Sequence, residues 1–363
     1  MNIRLRIVIW HIFLWPVAGL QAQTGNFLYQ AGFAGGSIIR HRPNMAHLVR
    51  AHPSLFRAGI FKTSVPGTWE SLFNYPDRGL ELLYQNFYNE DLGHVAALNY
   101  TMRYYLRNRN KRPNLLLTTG IGAAYTGSPF DFETNIDNIS ISTHFGISVL
   151  LGMEYTFPLF EGAFWKTGIL FTHYSNSSVR KPNLGINTLF VNTGISIGNP
   201  YKNTYEKTET EPPYSRKWSY WTALTFSAHE VKARRGLFPV LQWTGIAVKR
   251  YSCKSAFQTG TGFVYSWANK DYAAFDARLN GKERKDFKEI DIFAGHRLYF
   301  HRWYLDTRLG YYVYNPLGKG LAVFEYIGMN YRIADSRWQA GFGIKAKLFK
   351  ADFTGLSLYY QIK

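Results

Sequence analysis

The chain is 363 residues long, carries 42 Lys+Arg against 24 Asp+Glu for a formal net charge of +18, and is 46% hydrophobic with 17% aromatic residues. So much apolar and aromatic material excludes a disordered polymer. The single cysteine, Cys253, excludes an intramolecular disulfide and a thiolate zinc cluster, and the ten histidines form no H-E-x-x-H pair, so no metal or other cofactor is expected.

The N-terminus reads as an address. Arg4 and Arg6 precede an apolar run from Ile7 to Leu20, and Gln21-Ala22-Gln23 offers a small residue at a cleavage position. The run is shorter than the roughly 20 residues of a spanning helix and contains Pro16, so residues 1–22 are expected to be a cleaved secretory signal. Beyond it, no run is long and apolar enough for a helical span, and two-residue alternation takes over. The first candidate strands, near Asn26–Arg40 and Phe56–Lys62, carry the weakest alternation. Gly32-Phe33-Ala34-Gly35-Gly36 precedes no helix, which argues against a phosphate cradle.

The pattern becomes strict at Leu98, Tyr100, Met102, Tyr104 and Leu106, which alternate with Asn99, Thr101, Arg103 and Arg107. It returns at Leu305, Thr307, Leu309, Tyr311 and Val313, and again at Phe342, Ile344, Ala346 and Leu348. Polar loops are expected at Arg107–Pro113, Asn199–Lys217 and Asn269–Lys288, and no helical stripe competes. The acidic group Asp131, Glu133 and Asp137 in the loop Thr126–Asn138 reads as a solvated loop before a divalent-ion site.

Amphipathic antiparallel strands suit either a soluble sandwich or barrel, or a transmembrane barrel with apolar residues outside. The secretory signal, strands of roughly ten residues, Tyr and Trp near strand ends, and low mean hydropathy favour the second. The expected fold is therefore all-β, an antiparallel transmembrane β-barrel of the outer membrane over residues 23–363 with about fourteen to sixteen strands. Two fused eight-stranded barrels, joined at Asn199–Lys217, are the alternative. The positive charge then reads as attraction to anionic lipid headgroups, and no compact basic and aromatic module points to nucleic acid.

The segment 166–198 carries candidate chemistry. Period two puts Thr167, Ile169, Phe171, His173 and Ser175 on one face, expected to look toward lipid, with Lys166, Gly168, Thr172 and Asn176 opposite. On the next strand Asn187, Leu189, Val191, Ile195 and Ile197 share a face, and a loop centred on Lys181 would set Ser175 across from Asn187. An imidazole beside a hydroxyl at i and i+2 is placed to take its proton and make Ser175 a nucleophile toward an ester. Asn187 would hold the other imidazole nitrogen in the required tautomer, without the charge a carboxylate brings. An amide such as Asn176 would serve an oxyanion, and Arg180 and Lys181 in the adjoining loop would meet headgroup phosphates. Alone, H-x-S at a strand end is also what two ordinary polar interfacial residues look like.

His173-Tyr174-Ser175-Asn176, followed by Lys181-Pro182-Asn183-x-Gly185-Ile186, resembles the signature of the outer-membrane lipid A deacylases, the PagL-like family also labelled acyloxyacyl hydrolase. The resemblance implies a Ser-His-Glu esterase acting on the acyl ester at the 3 position of lipid A. It assigns His173 as base, Ser175 as nucleophile and Asn176 to the oxyanion hole, and it puts Asn187 where the family has glutamate. Gly120–Tyr125, Pro129-Phe130-Asp131, Asn135-x-x-Asn138, Lys345-Ala346-Lys347 and Lys350-Ala351-Asp352 are similar to recurring elements of longer relatives. The second half lacks an H-x-S and is expected to be scaffold. A non-catalytic outer-membrane barrel, of porin or structural type, and an outer-membrane phospholipase are the alternative functions.

Overall fold

The protein is described by a computed structural model over residues 26–65, 69–199, 205, 213–231, 233–280, 286–317, 322–334, 336–348 and 350–363. The expected signal at 1–22 and most of the joint at 199–217 lie outside the described residues. The first half forms β1 (Phe27–Ile38), β2 (Ser54–Lys62), β3 (Asp77–Asn86), β4 (His94–Tyr105), β5 (Asn114–Thr126), β6 (Phe145–Phe160), β7 (Ala163–Ser175) and β8 (Ile186–Ile197). Each strand pairs antiparallel with the next, and β8 closes on β1.

The second half repeats the plan with β9 (Trp218–Glu230), β10 (Leu237–Arg250), β11 (Ser255–Ser266), β12 (Glu289–Phe300), β13 (Trp303–Tyr314), β14 (Val323–Arg332), β15 (Trp338–Lys347) and β16 (Lys350–Gln361), which closes on β9. The sixteen strands thus form two eight-stranded barrels, the second of the two expected arrangements. Closing each half on itself leaves neither sheet with an open edge. The weakly alternating segments at the start are genuine strands, β1 and β2.

One expectation is corrected. The stretch Asn269–Lys288 is not loop throughout, because α1 (Trp267–Asn280) occupies its first part. Its alanines favour helix, and the Ser266 hydroxyl accepts the Asn269 backbone N–H at 3.3 Å as a cap. The helix lacks a broad apolar stripe, so its sequence reads as polar loop.

Alternation along the strands is inverted relative to a soluble barrel. Leu98, Tyr100, Ile169, Val191, Leu309 and Leu356 are exposed, while Asn99, Thr101, Arg103, Lys166, Asp306 and Lys345 are buried in the lumens. This is the arrangement that hydrocarbon imposes on a closed sheet. The first lumen is filled by a charged network. The guanidinium of Arg57 lies 2.7 Å from Glu81 and 2.9 Å from Glu154, and Lys166 Nζ is 3.3 Å from Glu154. Thr118 and Asn192 also donate to Glu154, at 2.7 and 3.0 Å. Beside that network an apolar cluster of Leu55, Leu83, Phe87, Leu150, Leu170, Tyr174 and Phe190 is packed with buried polar residues such as Gln85, which joins Thr172 and Thr188.

The barrels touch at both rims. At one, Phe73 stacks on Phe300 with ring centroids 4.7 Å apart and Lys254 Nζ donates to the Leu72 carbonyl at 3.2 Å. At the other, the β7–β8 loop meets the second barrel: Glu230 N–H donates to Val179 O at 2.9 Å and Thr354 Oγ1 donates to Ser177 O at 3.1 Å.

Candidate active site

The site is built at the end of β7. Its outward residues Ile169, Phe171, His173 and Ser175 follow the pleat, and the inward Leu170, Thr172 and Tyr174 are buried in the lumen. His173 pairs with Val149 on β6 and with Asn187 on β8, and Ser175 pairs with Ile147. The expected register, Ser175 opposite Asn187, is corrected to His173 opposite Asn187. The first paired residues after the loop are Tyr174 and Ile186, which centres the connection one residue earlier than Lys181. The shift keeps Asn187 on the imidazole's face and sets it directly beside the ring.

Ser175 Oγ lies 3.0 Å from His173 Nε2, and His173 Nδ1 lies 2.6 Å from Asn187 Oδ1. The amide oxygen can only accept, so it holds the hydrogen on Nδ1 and leaves Nε2 bare to receive the serine proton. Asn187 Nδ2 in turn lies 3.3 Å from Nδ1 of His41, and His41 Nε2 lies 3.0 Å from the Leu184 carbonyl. His41 follows β1 at the level where Ile39 N–H donates to Asn187 O, at 2.8 Å.

The β7–β8 loop covers Ser175, which is only 7% exposed. Ser177 and Ser178 adopt positive φ of 55° and 67°, turning the chain sharply behind Ser175. Asn176 organises that turn. Its Nδ2 donates to Ser142 Oγ and to Arg180 O, both at 3.1 Å, and its backbone N–H donates to Asn183 Oδ1 at 3.1 Å. Both amide hydrogens are therefore committed, so an oxyanion would have to displace the Ser142 hydroxyl. Gly185 brings the returning chain against the imidazole at φ +74°, where an added Cβ would lie 2.7 Å from His173 Cε1.

Arg180 is exposed, whereas Lys181 turns toward the second barrel. Lys181 N–H donates to Glu230 Oε2 at 2.8 Å and its Nζ to Ser178 Oγ at 2.5 Å. Burial, reinforced by nearby Lys350, pushes the Lys181 ammonium below the ordinary lysine range. A cavity of about 210 Å³ opens beside it, lined among others by Ser178, Lys181, Glu230, Lys347, Lys350 and Asp352.

In the loop 126–138 the acidic side chain of Asp131 is tied to the loop's own backbone. Asp131 accepts the backbone N–H groups of Glu133 and Thr134 at 2.9 and 3.0 Å, and no group of three or more metal-ligating side chains occurs among the described residues. The loop supports the site instead. Asn138 fixes it through Ser128 O, Ser140 N–H and Ile141 N–H, and Ser140 O then accepts Gly185 N–H at 2.9 Å. His41, Ser142 and Glu230 were not identified from sequence, whereas Asn183 stands in the motif that carries the resemblance. His41, Ser142 and Glu230 each reach the site through a contact far from their own segment, and only the motif positions Asn183 and Gly185 carried a local signal.

Sequence comparison places this geometry in context. The family described as Lipid A 3-O-deacylase (PagL) matches residues 56–196, and Acyloxyacyl hydrolase, C-terminal domain, matches residues 218–363. No curated protein matches the chain. Among solved structures, the outer membrane enzyme PagL is 16% identical and aligns 47% of this chain with 99% of its own at a TM-score of 0.33. A variant of the Rh. blastica porin is 9% identical over 93% of this chain and 99% of its own, at a TM-score of 0.19. The Acinetobacter baumannii outer membrane protein Omp33 is 7% identical over 93% and 98%, at 0.18.

Proposed function

Because the chain belongs to the PagL family of lipid A deacylases and acyloxyacyl hydrolases, we propose that it is an outer-membrane serine esterase that removes a fatty-acyl chain from lipid A. The observation that carries this reading is the directed hydrogen-bond path from Ser175 through His173 to Asn187 on an outward, apolar barrel face. A hydroxyl activated there meets an ester held in the membrane, where the acyl chain lies along exposed residues such as Leu189 and Val191.

In the proposed reaction Ser175 Oγ attacks the ester carbonyl carbon while its proton passes to His173 Nε2. The tetrahedral oxyanion is held by amide hydrogens at the turn, Asn176 Nδ2 exchanging Ser142 for the new oxygen. Collapse breaks the bond to the sugar oxygen, which takes the proton from His173 and leaves as an alcohol. Water then attacks the acyl-serine with His173 as base, and a fatty acid is released. Asn187 keeps the ring oriented but offers the transient imidazolium only an amide dipole, in place of a carboxylate's charge. No step requires a cofactor.

Arg180, Lys181 and the adjoining cavity are assigned to the phosphorylated sugar headgroup, since their mixed ammonium, carboxylate and hydroxyl lining suits sugar hydroxyls and phosphate and is wrong for an acyl chain. The leader at 1–22 would deliver the chain through the inner membrane. The test is mass spectrometry of lipid A from cells carrying the wild type or Ser175→Ala, with phospholipid fatty-acid release followed in parallel. Loss of one acyl chain with the wild type alone supports the reading. Unchanged lipid A with released phospholipid acyl chains would make the enzyme a phospholipase, and no change in either would make the barrel non-catalytic.

A further inference from the structure

We infer that His41, which lies ahead of the segment that matches the family, is the positioning residue that lets an asparagine serve at position 187; this rests on the esterase reading above. The reasoning begins with a difference between amide and carboxylate. Either oxygen of a carboxylate accepts the imidazole Nδ1 hydrogen, whereas a carboxamide presents an acceptor at one end and two donors at the other. Rotated by half a turn about its terminal torsion, Asn187 would aim Nδ2 at His173 Nδ1. The ring would then keep its hydrogen on Nε2, where it cannot accept the Ser175 proton. A glutamate at this place needs no such control, and an asparagine does.

His41 supplies the control from the far side. Its Nε2 faces Leu184 O at 3.0 Å and its Nδ1 faces Ile39 O at the longer 3.3 Å; both carbonyls only accept, and the shorter contact, with Asn187 Nδ2 on the Nδ1 side, puts the hydrogen of the neutral ring on Nε2. The bare Nδ1 then accepts from Asn187 Nδ2 at 3.3 Å, which directs Oδ1 to His173 at 2.6 Å. Donors and acceptors thus run in one direction from Ser175 through His173, Asn187 and His41 to the Leu184 carbonyl. Reversing any member sets two donors or two acceptors against each other, so the backbone carbonyl of Leu184 fixes the tautomer of His173 through two intervening side chains. The same carbonyl belongs to the loop that covers the nucleophile, which couples closure of the loop to that alignment.

The test is a double-mutant cycle on the full-length protein in lipid A vesicles, reading kcat for fatty-acid release. Replacing His41 by Ala in the natural background is expected to lower kcat about tenfold or more, since misoriented catalytic groups cost of that order. His41→Gln, which retains an acceptor, should recover part of the loss, and His41→Leu should not. In the Asn187→Glu background the His41→Ala effect should shrink to about threefold or less, because a carboxylate has no wrong end. An equal loss in both backgrounds would reduce His41 to a packing residue and overturn the inference, as would full activity of His41→Leu. The Gln and Leu pair keeps the test decisive if the Ala variant fails to fold, folding being read from heat-modifiable gel mobility. Residual activity in Ser175→Ala would defeat the esterase reading itself, and is read separately.

Discussion

Asn187 accepts the Nδ1 hydrogen of His173 at 2.6 Å from the position directly opposite it on the neighbouring strand, so in the proposed mechanism a neutral amide takes the place of a third catalytic group. Orientation of the imidazole survives this arrangement, and charge stabilisation of the imidazolium does not. Asn187→Glu should therefore raise kcat by about tenfold or more, given that a buried carboxylate in this role is worth several orders of magnitude in related triads. Fatty-acid release from purified lipid A measures it, and an unchanged or lower rate would mean that the site is tuned to the amide.

Ser175→Ala should lower deacylation about a thousandfold or more, while leaving the barrel folded. Ser175 makes one side-chain contact of note, with His173 Nε2, so its loss removes the proposed nucleophile without opening the lumen. Lipid A mass spectra together with heat-modifiable mobility check both halves of this expectation.

Gly185→Ala forces a side chain into positive φ, at a cost of roughly 1–3 kcal/mol, and drives a methyl group to within 2.7 Å of His173 Cε1. The imidazole must shift, so kcat should fall about tenfold to a hundredfold with KM little changed. Loss in KM alone would contradict the described approach of the loop to the ring.

Lys181 offers a pH signature. Burial and Lys350 hold its ammonium below the usual lysine range. In the proposed headgroup role the charged form meets phosphate, so headgroup affinity should be fully present below that lowered pKa and should fall as pH rises through it, earlier than for a solvated lysine. KM measured against pH for bisphosphorylated lipid A should rise on the alkaline side, and Lys181→Met should flatten that limb.

In the lumen, Glu154 faces Arg57 and Lys166 and accepts from Thr118 and Asn192. Glu154→Gln keeps the shape but leaves two buried cations undercompensated, so the barrel should lose about 3–5 kcal/mol. Urea unfolding in lipid vesicles measures the change, and a shift well under that range would mean that water or a rearranged Glu81 takes up the charge.

The local physics of this protein is legible along the chain. Two-residue alternation depends only on the pleat and on which side meets hydrocarbon, so residues 98–106, 305–313 and 342–348 declare strands, and the outward placement of His173 and Ser175 follows from the same rule. The H-x-S spacing likewise puts the imidazole beside the hydroxyl without reference to anything distant. Closure is another matter: whether sixteen strands form one ring or two depends on which ends pair, and β8 meeting β1 while β16 meets β9 is a long-range choice that no strand encodes alone. Register across the β7–β8 loop depends on turn geometry at Ser177, Ser178 and Gly185, which moved Asn187 from Ser175 to His173. Tertiary structure also decided the outer members of the site. His41 reaches Asn187 across 146 positions and Glu230 reaches Lys181 across 49, because barrel closure and barrel contact bring together groups whose own segments give no sign of each other.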